Sequence, residues 1–413
     1  MKVDKYLLVA LIYFFFNSFA LPEGFTYTFF MTPLFYWYIY KNGGRQIELK
    51  FLVFLLPFLV VHLFQGVVLV YYLKSLVLLV SGYLFGYAVY HFFKKYQRLE
   101  WLFSRLLLFN FVFVLIAIGV YFTPAKESLW TVRHLTREIQ NFPRLELLTY
   151  EPSYYSSLLV PIILYFITKM LFKPYPIRVI VSYSVLLLVP LLLSFSLGVI
   201  ATLAITLLLF FIFHFKRLIH KQRIFVGLST LVVVGVIGLF ALLIAYPDNP
   251  LFKRISNLFT GKDSSGQGRT TDAMMLAYLI AKEKSLWFGA GLGQIKILGE
   301  TVIREYYHYA GDDIRITRIP SAVGETLGTF GLLGLVLRLG IQVYLFFKTR
   351  VFRNDYRTLI FIYIFLYQLT GSFLTNMAEY VLWIIAFTPC CIYFDREAIE
   401  LERSETQKTP QVS

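Results

Sequence analysis

The stretch that decides the fold is Ile177–Arg223, IRVIVSYSVLLLVPLLLSFSLGVIATLAITLLLFFIFHFKRLIHKQR. It holds two apolar runs, Ile177–Ser194 and Leu197–Phe215, joined through the tight Ser194-Phe195-Ser196-Leu197-Gly198 turn. Each run has about the length of a helix that crosses a bilayer core. The second ends in Lys216, Arg217, Lys221 and Arg223, and a basic cluster beside an apolar run marks the cytoplasmic side. Outward from this pair the whole chain has the same character. It has 413 residues, 58% of them hydrophobic and only 15% charged, with a formal net charge of +15. Soluble domains carry nearer a quarter charged residues, so a cytosolic enzyme is excluded. The positive charge is split into clusters between apolar runs, which points to membrane orientation and not to nucleic acid.

Further runs lie near Tyr6–Leu21, Phe25–Tyr40, Phe51–Tyr71, Leu76–Phe93, Trp101–Phe122 and Tyr154–Phe172, and then at Ile224–Ala245, Ala322–Phe347, Thr358–Leu374 and Ala378–Phe394. The expectation is an all-α, polytopic protein of about 12 spans forming a single membrane domain over 1–394. Basic clusters at Lys41/Arg45/Lys50, Lys94/Lys95/Arg98, Lys173/Arg178, Lys216–Arg223 and Lys348–Arg357 occupy every second loop. This alternation predicts cytoplasmic N- and C-termini, with 395–413 as a polar, disordered cytoplasmic tail. Cys390 and Cys391 are adjacent within an apolar run and read as inert residues at lipid depth. His62, Lys74 and Glu379 fall at or near span ends, where snorkelling accounts for most such residues.

Two outer loops, 123–153 and 246–320, carry arginines on the side that the charge rule disfavours: Arg133, Arg137 and Arg144 in the first, and Arg254, Arg269, Arg304, Arg315 and Arg318 in the second. Ion pairing with nearby acids is one explanation. The other is an anionic ligand, because guanidinium forks match phosphate geometry. In the longer loop Asp272–Lys284 has apolar residues at helical spacing and predicts a helix on the outer membrane surface. Phe288–Gln294, FGAGLGQ, is a glycine-rich turn; no strand precedes it, so it is not a nucleotide fingerprint.

Four constellations could carry chemistry. Glu151-Pro152-Ser153-Tyr154 enters a span, as an ordinary helix start or as a ligand contact. Ser194 and Ser196 sit in the tight turn, where small residues also serve close packing. Arg269 precedes the surface helix as a loop charge or as a phosphate clamp at its N-terminus. Finally, RITRIPSAVGETLGTFGLLG over 315–334 places Arg315 and Arg318 outside a helix that starts at Pro320-Ser321. Glu325 lies one turn inside that helix, with Gly324, Gly328, Gly331 and Gly334 along one flank. Glu325 is either a structural ion-pair partner or a working group.

The order of these segments over 144–340 resembles the O-antigen polymerase and ligase family of bacterial envelope-glycan enzymes. The pieces that carry the resemblance are Glu151-Pro152-Ser153-Tyr154, Ser194-x-Ser196-x-Gly198, Gly268-Arg269, Trp287-Phe288-Gly289-x-Gly291-x-Gly293 and Glu325-x3-Thr329-Phe330-Gly331-Leu332-Leu333-Gly334. The resemblance implies a membrane-embedded, glycosyltransferase C-like fold in the bacterial inner membrane. It implies a polyprenyl-pyrophosphate-linked glycan donor and acceptor, periplasmic transfer, a chain-length regulator as partner, and no metal or other cofactor. Pro320-Ser321 stands where ligases carry a His-Asn-like pair, and Leu197 where an Arg often follows the second serine; both departures weaken a ligase assignment, and the Glu151-Pro152-Ser153 element favours a polymerase. The alternatives are a ligase acting on lipid A core and, from another class, a lipid-linked glycan flippase.

Read chemically, transfer from a sugar pyrophosphate demands charge stabilisation on the leaving group and a base for the acceptor hydroxyl. Arg269, Arg315 and Arg318 are the candidate clamps. Glu325 is the first candidate base, followed by Glu151 and His308, while Arg144, Ser153, Tyr154, Ser194 and Ser196 are candidate substrate contacts. Asp312-Asp313 is half of a metal site with no third ligand evident. Trp287, Tyr306, Tyr307 and Tyr309 could stack on sugar rings or belong to an interfacial belt.

Overall fold

The computed structural model describes residues 5–18, 27–41, 45–96, 98–133, 142–172, 175–219, 268–269, 271–308, 318–389 and 394–395. Helices dominate, because apolar chain in a bilayer can satisfy its backbone only internally. In chain order they are α1 Lys5–Phe16, α2 Tyr27–Phe30, α3 Thr32–Lys41, α4 Arg45–Phe64, α5 Leu69–Lys95, α6 Leu99–Tyr121, α7 Pro152–Phe172, α8 Ile177–Ser194 and α9 Leu197–Ile219. After these come α10 Thr271–Lys282, α11 Ile295–Tyr307, α12 Ala322–Lys348, α13 Asp355–Thr370 and α14 Met377–Phe387. Six helices among the described residues are long and apolar enough to span a membrane: α5 to α8, α12, and α9 over Leu197–Phe215. The protein is thus an all-α polytopic membrane protein. The expected run at 224–245, residues 246–267, 270 and 309–317 of the longer outer loop, and the tail from 396 lie outside the described residues.

Several runs depart from single uninterrupted spans. Phe25–Tyr40 forms two pieces, α2 and α3, where Pro33 cannot continue a preceding helix. Phe51–Tyr71 breaks at Gln65–Val68, and Gly66 takes a left-handed φ of 72°. Distant residues clasp this turn: the Gln294 carboxamide accepts from Val68 N at 3.0 Å, and Lys284 donates to the Gln65 carbonyl at 3.2 Å. In the 123–153 loop a two-stranded antiparallel hairpin pairs β1 Trp130–Arg133 with β2 Phe142–Leu145. Trp130 anchors it by donating to the Ala117 carbonyl of α6 at 2.8 Å.

α7 is the centre of the bundle. Apart from a few positions it is buried on every side, as expected of an apolar helix surrounded by others. It packs against α8, α9, α13 and α14. His62 and Glu379, expected at lipid-facing or interfacial span ends, are also buried. Snorkelling does not describe them: each faces a polar partner inside the protein.

α12 is one helix only in its length. Gly331 has φ 67° and ψ −166°, so the chain breaks there and restarts. The glycine-rich loop after α10 fits into the break. Ala290 and Gly291 donate to the Gly328 and Thr329 carbonyls at 2.9 and 3.0 Å, while Leu332 and Leu333 donate to the Leu286 and Trp287 carbonyls at 2.9 and 3.1 Å. The backbone groups freed by the break are therefore satisfied by another segment, as membrane burial requires. Only glycine permits so close a crossing: a Cβ on Gly289 would lie 2.4 Å from the Thr329 backbone, and one on Gly331 2.4 Å from that of Trp287.

Candidate functional site

One end of the bundle gathers a cavity of about 300 Å³. Four segments that each lead into a helix line it. Tyr150, Glu151, Ser153, Tyr154 and Ser157 come from the start of α7; Gly268 and Arg269 precede α10. Arg318, Ile319 and Pro320 precede α12, and Ser372, Phe373 and Asn376 precede α14. Tyr367 and Gly371, at the end of α13, complete the wall. Helix starts present unpaired N–H groups and the positive end of the dipole, so four of them around one cavity favour an anion. The starts of α12 and α14 are shaped locally by caps. Ser321 Oγ accepts from Gly324 N at 3.1 Å, and Asn376 Oδ1 accepts from Ala378 N at 3.0 Å; both residue types favour this position.

Of the residues singled out by sequence, the fold brings Glu151, Ser153, Tyr154, Arg269 and Arg318 together here. Ser153 donates its hydroxyl to the Glu151 carboxylate. Tyr154 accepts from the Asn17 carboxamide, and its ring lies 4.8 Å from that of Tyr150. Burial pushes the Tyr150 hydroxyl well above its ordinary value, and the Glu151 carboxylate adds to the shift while Arg318 opposes it. Tyr150 therefore stays neutral on the cavity wall. Arg269 stands beside the serine-rich turn, its Nη1 4.0 Å from where a Cβ on Gly198 would be.

Other candidates do not line the cavity. Glu325 Oε2 accepts from Leu374 N at 2.6 Å, so this carboxylate holds the turn that carries Ser372, Phe373 and Asn376. Arg144, on β2, donates from Nε to the Ser194 carbonyl at 3.2 Å, and the Ser156 and Ser194 hydroxyls are 2.7 Å apart. Ser194 and Ser196 are both buried, which makes them the packed joint behind Arg269. His308 closes α11 in a left-handed conformation. Tyr306 and Tyr307 donate their hydroxyls to Asp272 at 3.3 and 2.7 Å, tying α11 to the first turn of α10. Arg315, Asp312, Asp313 and Tyr309 lie outside the described residues.

Tyr367, Ser372 and Asn376 escaped the sequence reading, which ran a span through Thr358–Leu374. The available signal was Thr370–Asn376, TGSFLTN, a polar break between two apolar runs. α11 also escaped it, although its apolar positions recur at helical spacing.

The architecture and the site define a class: a multi-pass helical membrane protein with an arginine-bearing polar cavity among helix starts. Residues 182–339 match the family model described as O-antigen ligase. That segment is therefore of the O-antigen polymerase and ligase family, a glycosyltransferase-like class of glycan-transferring enzymes. It runs from α8 to Leu339 in α12 and contributes Arg269 and Arg318 to the cavity, while Glu151, Tyr367 and Asn376 come from outside it. No curated protein matches the chain.

Proposed function

We propose that this protein is a polymerase of polyprenyl-pyrophosphate-linked oligosaccharide repeat units, working at the periplasmic face of the bacterial inner membrane with both termini cytoplasmic. The observation that carries the reading is the convergence of Arg269, Arg318 and Glu151 on one cavity from three segments distant in sequence. Two guanidiniums and the surrounding helix starts suit a diphosphate. The carboxylate beside them suits an acceptor hydroxyl.

In the proposed reaction the acceptor oxygen forms a bond to the anomeric carbon of the donor sugar as the bond from that carbon to the pyrophosphate oxygen breaks. The electron pair leaves with the polyprenyl pyrophosphate, whose growing charge Arg269 and Arg318 stabilise, with Arg315 assigned to the same task from sequence. The acceptor proton passes to Glu151, which Ser153 orients. Glu325 is assigned to holding the 371–376 turn and Tyr150 to donating a hydrogen bond. Preorganised donors of this kind act without the reorganisation that water would need, and the mechanism requires no metal or other cofactor.

The family description favours one second reading, a ligase that passes the glycan to lipid A core. The test is transfer by the purified protein in nanodiscs, supplied with its host's undecaprenyl-pyrophosphate repeat unit in EDTA, with products separated by size. A ladder of lengthened lipid-linked glycans supports the polymerase. Transfer only after addition of lipid A core makes it a ligase. Neither product, with flipping of the same lipid in sealed vesicles, overturns the enzymatic reading.

A further inference from the structure

Beneath the cavity lies a charged pair that the mechanism above does not use. Arg338 stands inside the membrane-spanning α12 and Glu379 in the first turn of α14, with side chains only 16% and 7% exposed. Ionised groups at membrane depth are costly unless paired and fully hydrogen-bonded. Here the pairing is complete. Arg338 donates from Nε to Gln368 at 3.0 Å, from Nη1 to Thr326 at 3.3 Å and from Nη2 to Glu379. On a continuous helix Thr326 would stand about 18 Å along the axis from Arg338, beyond reach. The break at Gly331 is what brings them together.

The chain of contacts runs upward from there. Glu379 accepts from the Ser372 hydroxyl and from the Trp383 indole. Ser372 in turn accepts from Asn376 Nδ2 at 2.9 Å, and the Asn376 oxygen is spent on the Ala378 N–H. One amide N–H of Asn376 is thus committed to Ser372, and its orientation is set from both ends. The other is left as a donor on a residue that lines the cavity. Replacing a buried ion pair by neutral groups of similar volume is often neutral for stability, so orientation is the better account of this one.

We infer that Asn376 donates to a phosphoryl oxygen of the ligand's diphosphate, and that Arg338 and Glu379 are positioning residues that aim it through Ser372. This rests on the reading of the cavity as a diphosphate site. The probe is farnesyl pyrophosphate, titrated calorimetrically into the full-length protein in nanodiscs. Asn376→Ala is expected to weaken binding about tenfold, as for loss of a hydrogen bond to a charged group. The double variant Arg338→Met/Glu379→Gln is expected to melt close to wild type and to weaken binding by a similar factor. Adding Asn376→Ala to it should then cost little more, because residues acting as one unit are not additive.

Arg269→Ala separates loss of the diphosphate site from loss of the positioning role. If the wild type does not bind the probe, or Arg269→Ala binds it as tightly as wild type, the diphosphate reading falls and this inference with it. If Arg269→Ala is weak but the double variant binds as wild type, or its effect simply adds to that of Asn376→Ala, the positioning role alone is overturned. Should the double variant fail to fold, Arg338→Lys keeps the charge and loses the fork. Weakened binding by that variant supports the role, and wild-type binding overturns it.

Discussion

Arg269, Arg318 and Glu151 owe their roles to side-chain chemistry, and conservative substitutions separate charge from geometry. Arg269→Lys and Arg318→Lys keep a cation but replace a planar fork by a point charge. Each is expected to lower turnover by about 100-fold or more, the scale of losing one preorganised donor, while the protein still inserts and purifies normally. Steady-state transfer assays check this, and wild-type rates in both would remove the arginines from the site. The two acids make opposite predictions. Glu151→Gln deletes the proposed base and should lower turnover by about 100- to 10,000-fold. Glu325→Gln retains an oxygen that can accept from Leu374 N, so it should keep most activity, whereas Glu325→Ala should lose it together with the order of the 371–376 turn. A dead Glu325→Gln beside an active Glu151→Gln would exchange their assignments. Sequence had ranked Glu325 first because an acid one turn below two arginines is conspicuous. Its actual partner is a backbone N–H 49 residues away, which no local pattern reveals.

At the scale of elements, the decisive device is the crossing of the 285–294 loop through the break in α12. The glycines at 324, 328, 331 and 334 are legible as one flank open to close approach, and those at 289, 291 and 293 as a turn. Their number did not show which pair of backbones meets. Gly289→Ala and Gly331→Ala each drive a Cβ into backbone at 2.4 Å from a positive-φ position, so neither neighbour can move aside. Each is expected to destabilise by more than the 1–3 kcal/mol or so of ordinary overpacking, seen as a clear drop in the melting temperature in detergent. Gly340→Ala, where nothing lies within 4 Å of the new Cβ, serves as the control and should be tolerated. A Gly331→Ala protein that melts like wild type would mean that the crossing is not rigid. The hairpin at 130–145 was hidden for a different reason. Its strands are four residues each, too short to show alternation against the aromatic background of this chain.

For the molecule as a whole, the alternation of basic clusters makes a prediction about sidedness. A fluorescent protein fused after Ser413 should fluoresce in the cytoplasm. Single cysteines at Lys126 and Lys284, in a background lacking Cys390 and Cys391, should react with an impermeant maleimide from outside spheroplasts. Labelling of those positions only after the membrane is broken would invert the topology and move the cavity to the cytoplasmic face. The helix directions agree with one another within the fold: α7, α12 and α14 all begin at the cavity while α13 ends there. Opposed helix directions are what a chain produces when successive spans are joined by short turns.

Sequence alone determined that this is a helical membrane protein. Long apolar runs with no water to bond their backbone have no other outcome, and charge between the runs is read locally along the chain. It also determined the chemical types at the site, since arginine and glutamate announce themselves wherever they fall. Only the tertiary structure decided which of them meet. The cavity joins residues from 150 to 376, the turn at Gln65–Val68 is held by Gln294 and Lys284, and Arg338 reaches Thr326 only because α12 breaks. Each of these depends on the packing of helices remote in sequence. Hydropathy and motif spacing, which are properties of neighbours along the chain, carry no record of it.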